Sequence, residues 1–319
     1  MILDAHSHIF PTVRGRVGTG PTRSLGYGRI QFGDAEEQLL PPYNKETEYT
    51  PEMLVANMDW AGVDRAVLLQ GTAYGECNDY VRQALARYSD RLIGTAFFDP
   101  WARNSRAFFD TIVEAPEGSG LGAPAPGFRG IKLECSVAAG LCGLHPDARL
   151  DDPEIAWVWD RIDRCGMLLV LDLGAVGTAS YQTGAVRRIA EAHPGMTIVL
   201  AHLAQPRPNA EADPRLWRLW QEQIDLGLLP NVYFDTAALP AYLPDEDFPY
   251  ASAGRYLELA VERIGAEKMM WGTDQPGLLG VLSYPQLVRL AHIHTGFLGD
   301  EERAMVLGGT AMRIFGGRM

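Results

Sequence analysis

Apolar residues along this chain gather into short, nearly uninterrupted runs, and each run is followed by a stretch with helical spacing. The runs are Ile2-Leu3-Asp4-Ala5, Ala66–Gly71, Leu92–Phe98, Phe128–Glu134, Met167–Asp172, Thr197–His202, Val232–Asp235 and Met269–Asp274. Apolar runs without alternation mark strands covered on both faces, as in parallel sheets. Between them, Thr50-Pro51 reads as a cap and first turn, with Met53, Leu54, Asn57 and Met58 on the helix that Gly62 ends. Further helices are predicted over 79–88, 105–114, 152–165, 183–192, 214–226, 254–264, 284–294 and 300–314. A Gly/Pro linker spans 118–126. Eight successive strand-then-helix units predict an α/β fold, a (β/α)8 barrel. A doubly wound open sheet is the alternative, but the first turn lacks a Gly-rich phosphate loop and carries two histidines instead.

The segment 9–50 interrupts this rhythm. It is rich in glycine and proline, carries Arg14, Arg16, Arg23 and Arg29, and reads as a long irregular loop. Loops of that length in compact domains tend to be lids or binding loops. The expectation is one domain over 1–319 with 9–50 as an active-site loop. With 319 residues, 47% of them hydrophobic, the chain has ample material for one core. A net charge of −12 argues against nonspecific binding to nucleic acid or to an anionic membrane surface. Cys77, Cys135, Cys142 and Cys165 show no metal-site spacing. Neither a signal-like opening nor an apolar run of about 18 residues is present, so a soluble, cytoplasmic setting is the expectation.

The strands end in ionisable groups. His6 and His8 are two apart and share a face of an extended strand, a ready pair of imidazoles. The fourth strand ends in Glu134, the fifth in Asp172, the sixth in His202, the seventh in Asp235 and the eighth in Asp274. In barrel enzymes these ends form the active face. Three histidines and an aspartate on one rim are a donor set for zinc or a similar divalent ion.

Leu3-Asp4-Ala5-His6-Ser7-His8, Phe128-Arg129-Gly130-Ile131-Lys132-Leu133, Val199-Leu200-Ala201-His202, Trp271-Gly272-Thr273-Asp274-Gln275-Pro276 and the ending Gly308–Phe315 resemble the amidohydrolase superfamily in kind and order. The resemblance spans essentially the whole chain. It points to the amidohydrolase-related branch, with its aromatic-acid and aminocarboxymuconate-semialdehyde decarboxylases and its 2-pyrone-4,6-dicarboxylate lactonase. It implies His6 and His8 as metal ligands, Asp274 as ligand or general base, and His202 as a group that polarises substrate or shuttles a proton. A homodimer is what the resemblance suggests. Metal-bearing relatives end the fifth strand in a histidine ligand, where this chain has Asp172. Aspartate can complete a zinc site, favour manganese or magnesium, or mark a metal-free variant; Glu134 is a further oxygen donor nearby.

Lys132 is a candidate inward lysine for substrate, with a salt bridge inside the barrel as the alternative. His145 stands in a loop on the active face, where a solvated loop is the plainer reading, and Arg29 could pair with a substrate carboxylate or simply be solvated. The Trp157/Trp159 and Trp217/Trp220 pairs read as helix packing. The leading expectation is a metal-dependent hydrolase of a small carboxylated cyclic or aromatic lactone, amide or ester. A non-oxidative decarboxylase on the same scaffold is the alternative, and a degenerate ligand-binding barrel is the third.

Overall fold

The computed structural model describes residues 1–113 and 127–316. The predicted linker 118–126 and the last residue of the predicted helix 105–114 lie outside them. Twelve strands follow in chain order: β1 (Leu3–Ser7), β2 (Arg14–Val17), β3 (Gly20–Gly26), β4 (Arg29–Phe32), β5 (Ala35–Gln38), β6 (Arg65–Leu68), β7 (Leu92–Phe97), β8 (Gly130–Glu134), β9 (Leu168–Asp172), β10 (Ile198–Leu200), β11 (Val232–Asp235) and β12 (Met269–Met270). Eight of them, in the order β1-β6-β7-β8-β9-β10-β11-β12, form a sheet whose pairs are parallel. The segment after β12 closes it on β1, through Ala5 N–H to Trp271 O (2.9 Å), Asp274 N–H to His6 O (2.7 Å) and His8 N–H to Gln275 O (2.6 Å). The fold is the expected (β/α)8 barrel.

Side-chain alternation sorts the core in two. Leu3, Ala5, Val67, Leu69, Ile93, Leu168, Val170, Val199 and Met270 fill the barrel interior, and Ala311 and Phe315 of the last helix pack with them. Ile131, Leu133, Leu169, Leu171, Ile198, Leu200, Val232 and Phe234 face the surrounding helices. Period two then carries Lys132 and Glu134 of β8, Asp172 of β9 and Asp235 of β11 inward. Strand β1 breaks the rule. Leu3 and Ala5 point inward, so unbroken alternation would aim His6 and His8 at the helices. A register shift between Asp4 and Ser7 reverses the phase, as an irregularity that re-aims side chains does.

The segment 9–50 is not an irregular loop. Strands β2 to β5 form a four-stranded antiparallel meander. It docks on the barrel through Arg14 N–H to Tyr74 O (3.2 Å) and Arg16 N–H to Thr72 O (3.1 Å). Gly26, Gly28 and Gly33 at its turns have positive φ, and these glycines obscured the short alternating strands between them. The helix predicted over 300–314 is also interrupted, by a π turn at Met305–Gly309 between Asp300–Ala304 and Thr310–Phe315. Among the described residues no helix is long and apolar enough to cross a membrane.

Candidate active site

A cavity of about 540 Å³ opens at the C-terminal ends of the barrel strands. His6, His8, Lys132, Glu134, Asp172, His202 and Asp274 all line it. The structure thus gathers most of the rim predicted from sequence, and its hydrogen bonds separate the roles.

His6 Nδ1 lies 3.0 Å from Asp235 Oδ2. A carboxylate only accepts, so Nδ1 carries the proton and Nε2 presents a lone pair. That Nε2 is buried and has no hydrogen-bond partner; Asp274 Oδ1 stands 3.5 Å away. Burial and the neighbouring His202 charge outweigh Asp235 and lower the His6 pKa to about 4, so the ring is neutral. His8 Nδ1 donates to Leu69 O at 2.9 Å, which leaves its Nε2 lone pair facing Asp274 Oδ1, also at 2.9 Å. An imidazole lone pair and a carboxylate oxygen repel at that distance unless a proton or a metal ion stands between them. Two imidazole lone pairs and a carboxylate oxygen, one ring oriented by a second carboxylate, are the donor set of a divalent metal site, and these residues fit one. Gly272 permits the approach, because a Cβ there would lie 2.9 Å from His6 Cβ.

Asp274 reaches this point from a backbone with φ of 64°, strain of the kind that surrounding structure must hold. Burial favours its protonated form, but the contact with His8 and the charge of His202 outweigh this and hold it below the usual carboxylate range. Its Oδ2 accepts no hydrogen bond from the described residues.

His202 is arranged differently. Strand β10 stops at Leu200, and His202, Leu203, Ala204 and Gln205 all take left-handed φ values of 50° to 61°. Each such residue costs about 1–2 kcal/mol. Trp220 Nε1–H to Leu203 O (3.0 Å) and Tyr181 O–H to Ala204 O (3.1 Å) pin the turn. It directs His202 Nδ1 to Ala237 O and Nε2 to Asp172 Oδ2, each at 3.2 Å. Both partners accept, so the ring is an imidazolium. Burial opposes the charge, but Asp172, then Asp274 and Asp235, raise the His202 pKa to about 10. His6, His202 and Asp274 place ligand atoms within 4.8 Å of one another. The His202 proton is committed to Asp172, however, so His6 and His8 are the better donors.

The tentative ligand Asp172 is turned away from that set. Its Oδ1 accepts from Gly174 N–H (2.8 Å) and Gln205 Nε2 (3.0 Å), and its Oδ2 faces His202. Glu134 accepts from Ser136 N–H at 3.0 Å and lies 3.7 Å from Lys132 Nζ, beside Asp172 in register. Burial and the Asp172 charge push the Glu134 pKa up to about 8, against the pull of Lys132. Its surroundings therefore favour the protonated carboxylic acid. Lys132 is buried in the wall, with its ammonium toward these carboxylates.

Two weaker candidates fall elsewhere. Arg29 pairs with Glu36 (2.5 Å) on the outer face of the meander, about half exposed, because alternation along β4 sends Ile30 and Phe32 inward instead. His145 pairs with Asp99 at 2.9 Å, outside the cavity lining. Sequence reading missed Arg207. It lines the cavity with its guanidinium 4.6 Å over the Tyr242 ring; among the described residues its buried Nε has no partner, and its Nη2 donates to Gln205 Oε1 at 3.3 Å. Nothing in Gln205-Pro206-Arg207-Pro208 marks that position, since the left-handed turn before it is set by packing.

The amidohydrolase family profile matches residues 3–317, and the chain belongs to that family. Its fold is shared with several solved structures. A probable 2-pyrone-4,6-dicarboxylic acid hydrolase from Acinetobacter baumannii, with citric acid bound, is 15% identical over 99% of both chains, with a TM-score of 0.66. An amidohydrolase from Burkholderia multivorans with bound zinc is 17% identical over 100% of both, with a TM-score of 0.70. The 5-carboxyvanillate decarboxylase of Sphingomonas paucimobilis is 20% identical over 83% of this chain and 82% of its own, with a TM-score of 0.52. No curated protein matches the chain in sequence.

Proposed function

We propose that this protein is a divalent-metal-dependent hydrolase that opens a small carboxylated lactone, ester or amide with an activated water. The observation that carries the reading is the convergence of the His6 and His8 Nε2 lone pairs on Asp274 Oδ1. His6, His8 and Asp274 would hold the metal, with zinc as first choice and manganese as second. When bound, such an ion polarises a scissile carbonyl and lowers the pKa of water. Asp274 accepts the water's proton on Oδ2, the oxygen left without a hydrogen bond. Lys132 and the fixed charge of the His202 imidazolium offset negative charge that develops at the carbonyl oxygen. Glu134, whose pKa is raised by burial and Asp172, supplies a proton to the leaving group. One carboxylate pushed down and one pushed up form an acid and base pair set apart by environment. Arg207, without a carboxylate partner among the described residues, takes the substrate carboxylate.

Protein purified without chelator should carry zinc or manganese. Stripping it should cut hydrolysis at least about tenfold, with recovery on re-addition. Metal below about a tenth of an equivalent, with no activation by added zinc or manganese, would discard the metal. Arg207→Gln should raise KM for carboxylated substrates about 10–100-fold with a smaller change in kcat, the signature of lost ground-state binding. An unchanged KM would remove Arg207 from recognition.

A carboxy-lyase is the second reading, because the Glu134 proton could equally be delivered to a ring carbon. Pooled lactones and hydroxybenzoates separate the two, since only the lyase releases carbon dioxide. Turnover of either kind that is lost in His202→Ala excludes a ligand-binding barrel without activity.

A further inference from the structure

The catalytic groups make up only part of the cavity lining. Val13, Ile30, Phe32 and Leu39 of the meander segment and Val137 from the loop after β8 line it as well. Strand β4 presents Ile30 and Phe32 on one face, and its register with β5 sets Glu37 beside Ile30. Glu37 is exposed and is the one ionisable group that the meander contributes to the lining. Val13 and Ile30 are each only 2% exposed and belong to the main apolar core, so this wall is fixed by packing. Phe32 and Leu39 are half-buried beside them and keep apolar surface toward the cavity.

We infer that the substrate carries an apolar hydrocarbon group, seated against Ile30, Phe32 and Leu39 while its carbonyl reaches Asp274. The reacting end rests on the hydrolase reading; the apolar end rests on the wall alone. Hydroxyls packed against such a wall would lose water and gain no partner. A sugar-like ring is therefore disfavoured, and an alkyl or aryl substituent gains from every methylene it buries. The meander thus acts as the specificity wall.

The test uses the full-length protein as purified, with three lactones of one ring size: valerolactone, its alkyl homologue decalactone, and polyhydroxylated gluconolactone. Their ring-opened acids are titrated in parallel by calorimetry. The kcat/KM for decalactone should exceed that for valerolactone by about tenfold or more, with gluconolactone below both, and affinities of the acids should follow the same order. Phe32→Ser and Leu39→Ser should each shrink the decalactone to valerolactone ratio toward one. Leu39→Trp, which keeps the wall apolar and fills it, should penalise decalactone selectively. Ratios within one variant are insensitive to how much of it folds. A preference for gluconolactone or gluconate, or ratios that no wall variant moves, would overturn the inference. If no lactone is opened but the acids keep this order of affinity, hydrolysis of uncarboxylated lactones fails and the apolar wall stands. If lactones are opened with no tail preference, the hydrolase reading stands and the apolar wall fails.

Discussion

Replacing Asp274 by Asn should lower turnover by about 10²–10⁴-fold, the range expected for loss of a positioned proton acceptor. The substitution keeps the size of the side chain, and Asp274 is partly open to the cavity, so the barrel should still fold. The amide nitrogen or the neutral oxygen would then face the His6 and His8 lone pairs, and metal affinity should fall with the rate. Steady-state kinetics together with elemental content measure both losses. A rate within tenfold of the parent protein would remove Asp274 as the proton acceptor. If metal were retained and only the rate fell, Asp274 would be a base and not a ligand.

The largest stability loss should follow Asp4→Ala. Asp4 is fully buried behind the rim, with no cation among its hydrogen-bond partners. It is held by five donors: His6 N–H (3.0 Å), Ser7 Oγ–H (2.6 Å), Thr273 N–H (2.9 Å), Thr273 Oγ1–H (2.5 Å) and Tyr284 O–H (2.6 Å). Burial raises its pKa, and these bonds oppose that rise. Deleting the carboxylate strands buried donors at about 1–3 kcal/mol each before relaxation. A net loss of about 3–5 kcal/mol follows, a large share of the ~5–15 kcal/mol that holds a typical domain. Denaturant unfolding should show it, and a loss below about 1 kcal/mol would show that the network relaxes without cost. The effect reaches the site, because Asp4 ties the backbone of His6 to Thr273, next to Asp274. Tyr284→Phe removes one donor and should cost far less.

Strand ends recur in the chain as apolar runs closed by ionisable groups, and eight such runs with helices between them imply a parallel barrel whose active rim holds His6, His8, Glu134, Asp172, His202 and Asp274. That much is local: burial on both faces forces the apolar run, and the end of a strand is where a charged group can leave it. Tertiary contacts decided the roles. The register shift in β1 turned His6 and His8 inward, where plain alternation would have turned them out. The left-handed turn at His202–Gln205 joined His202 to Asp172, so a group that could have been a metal ligand became the partner of a histidine. Packing of the meander sent Arg29 to solvent and Ile30 and Phe32 to the cavity, and the turn after β10 set Arg207 in the cavity lining. Each of these outcomes depends on a neighbour more than 20 residues away in the chain (Asp172 from His202, or the barrel loop that seats β2), and one-dimensional spacing carries no record of such contacts.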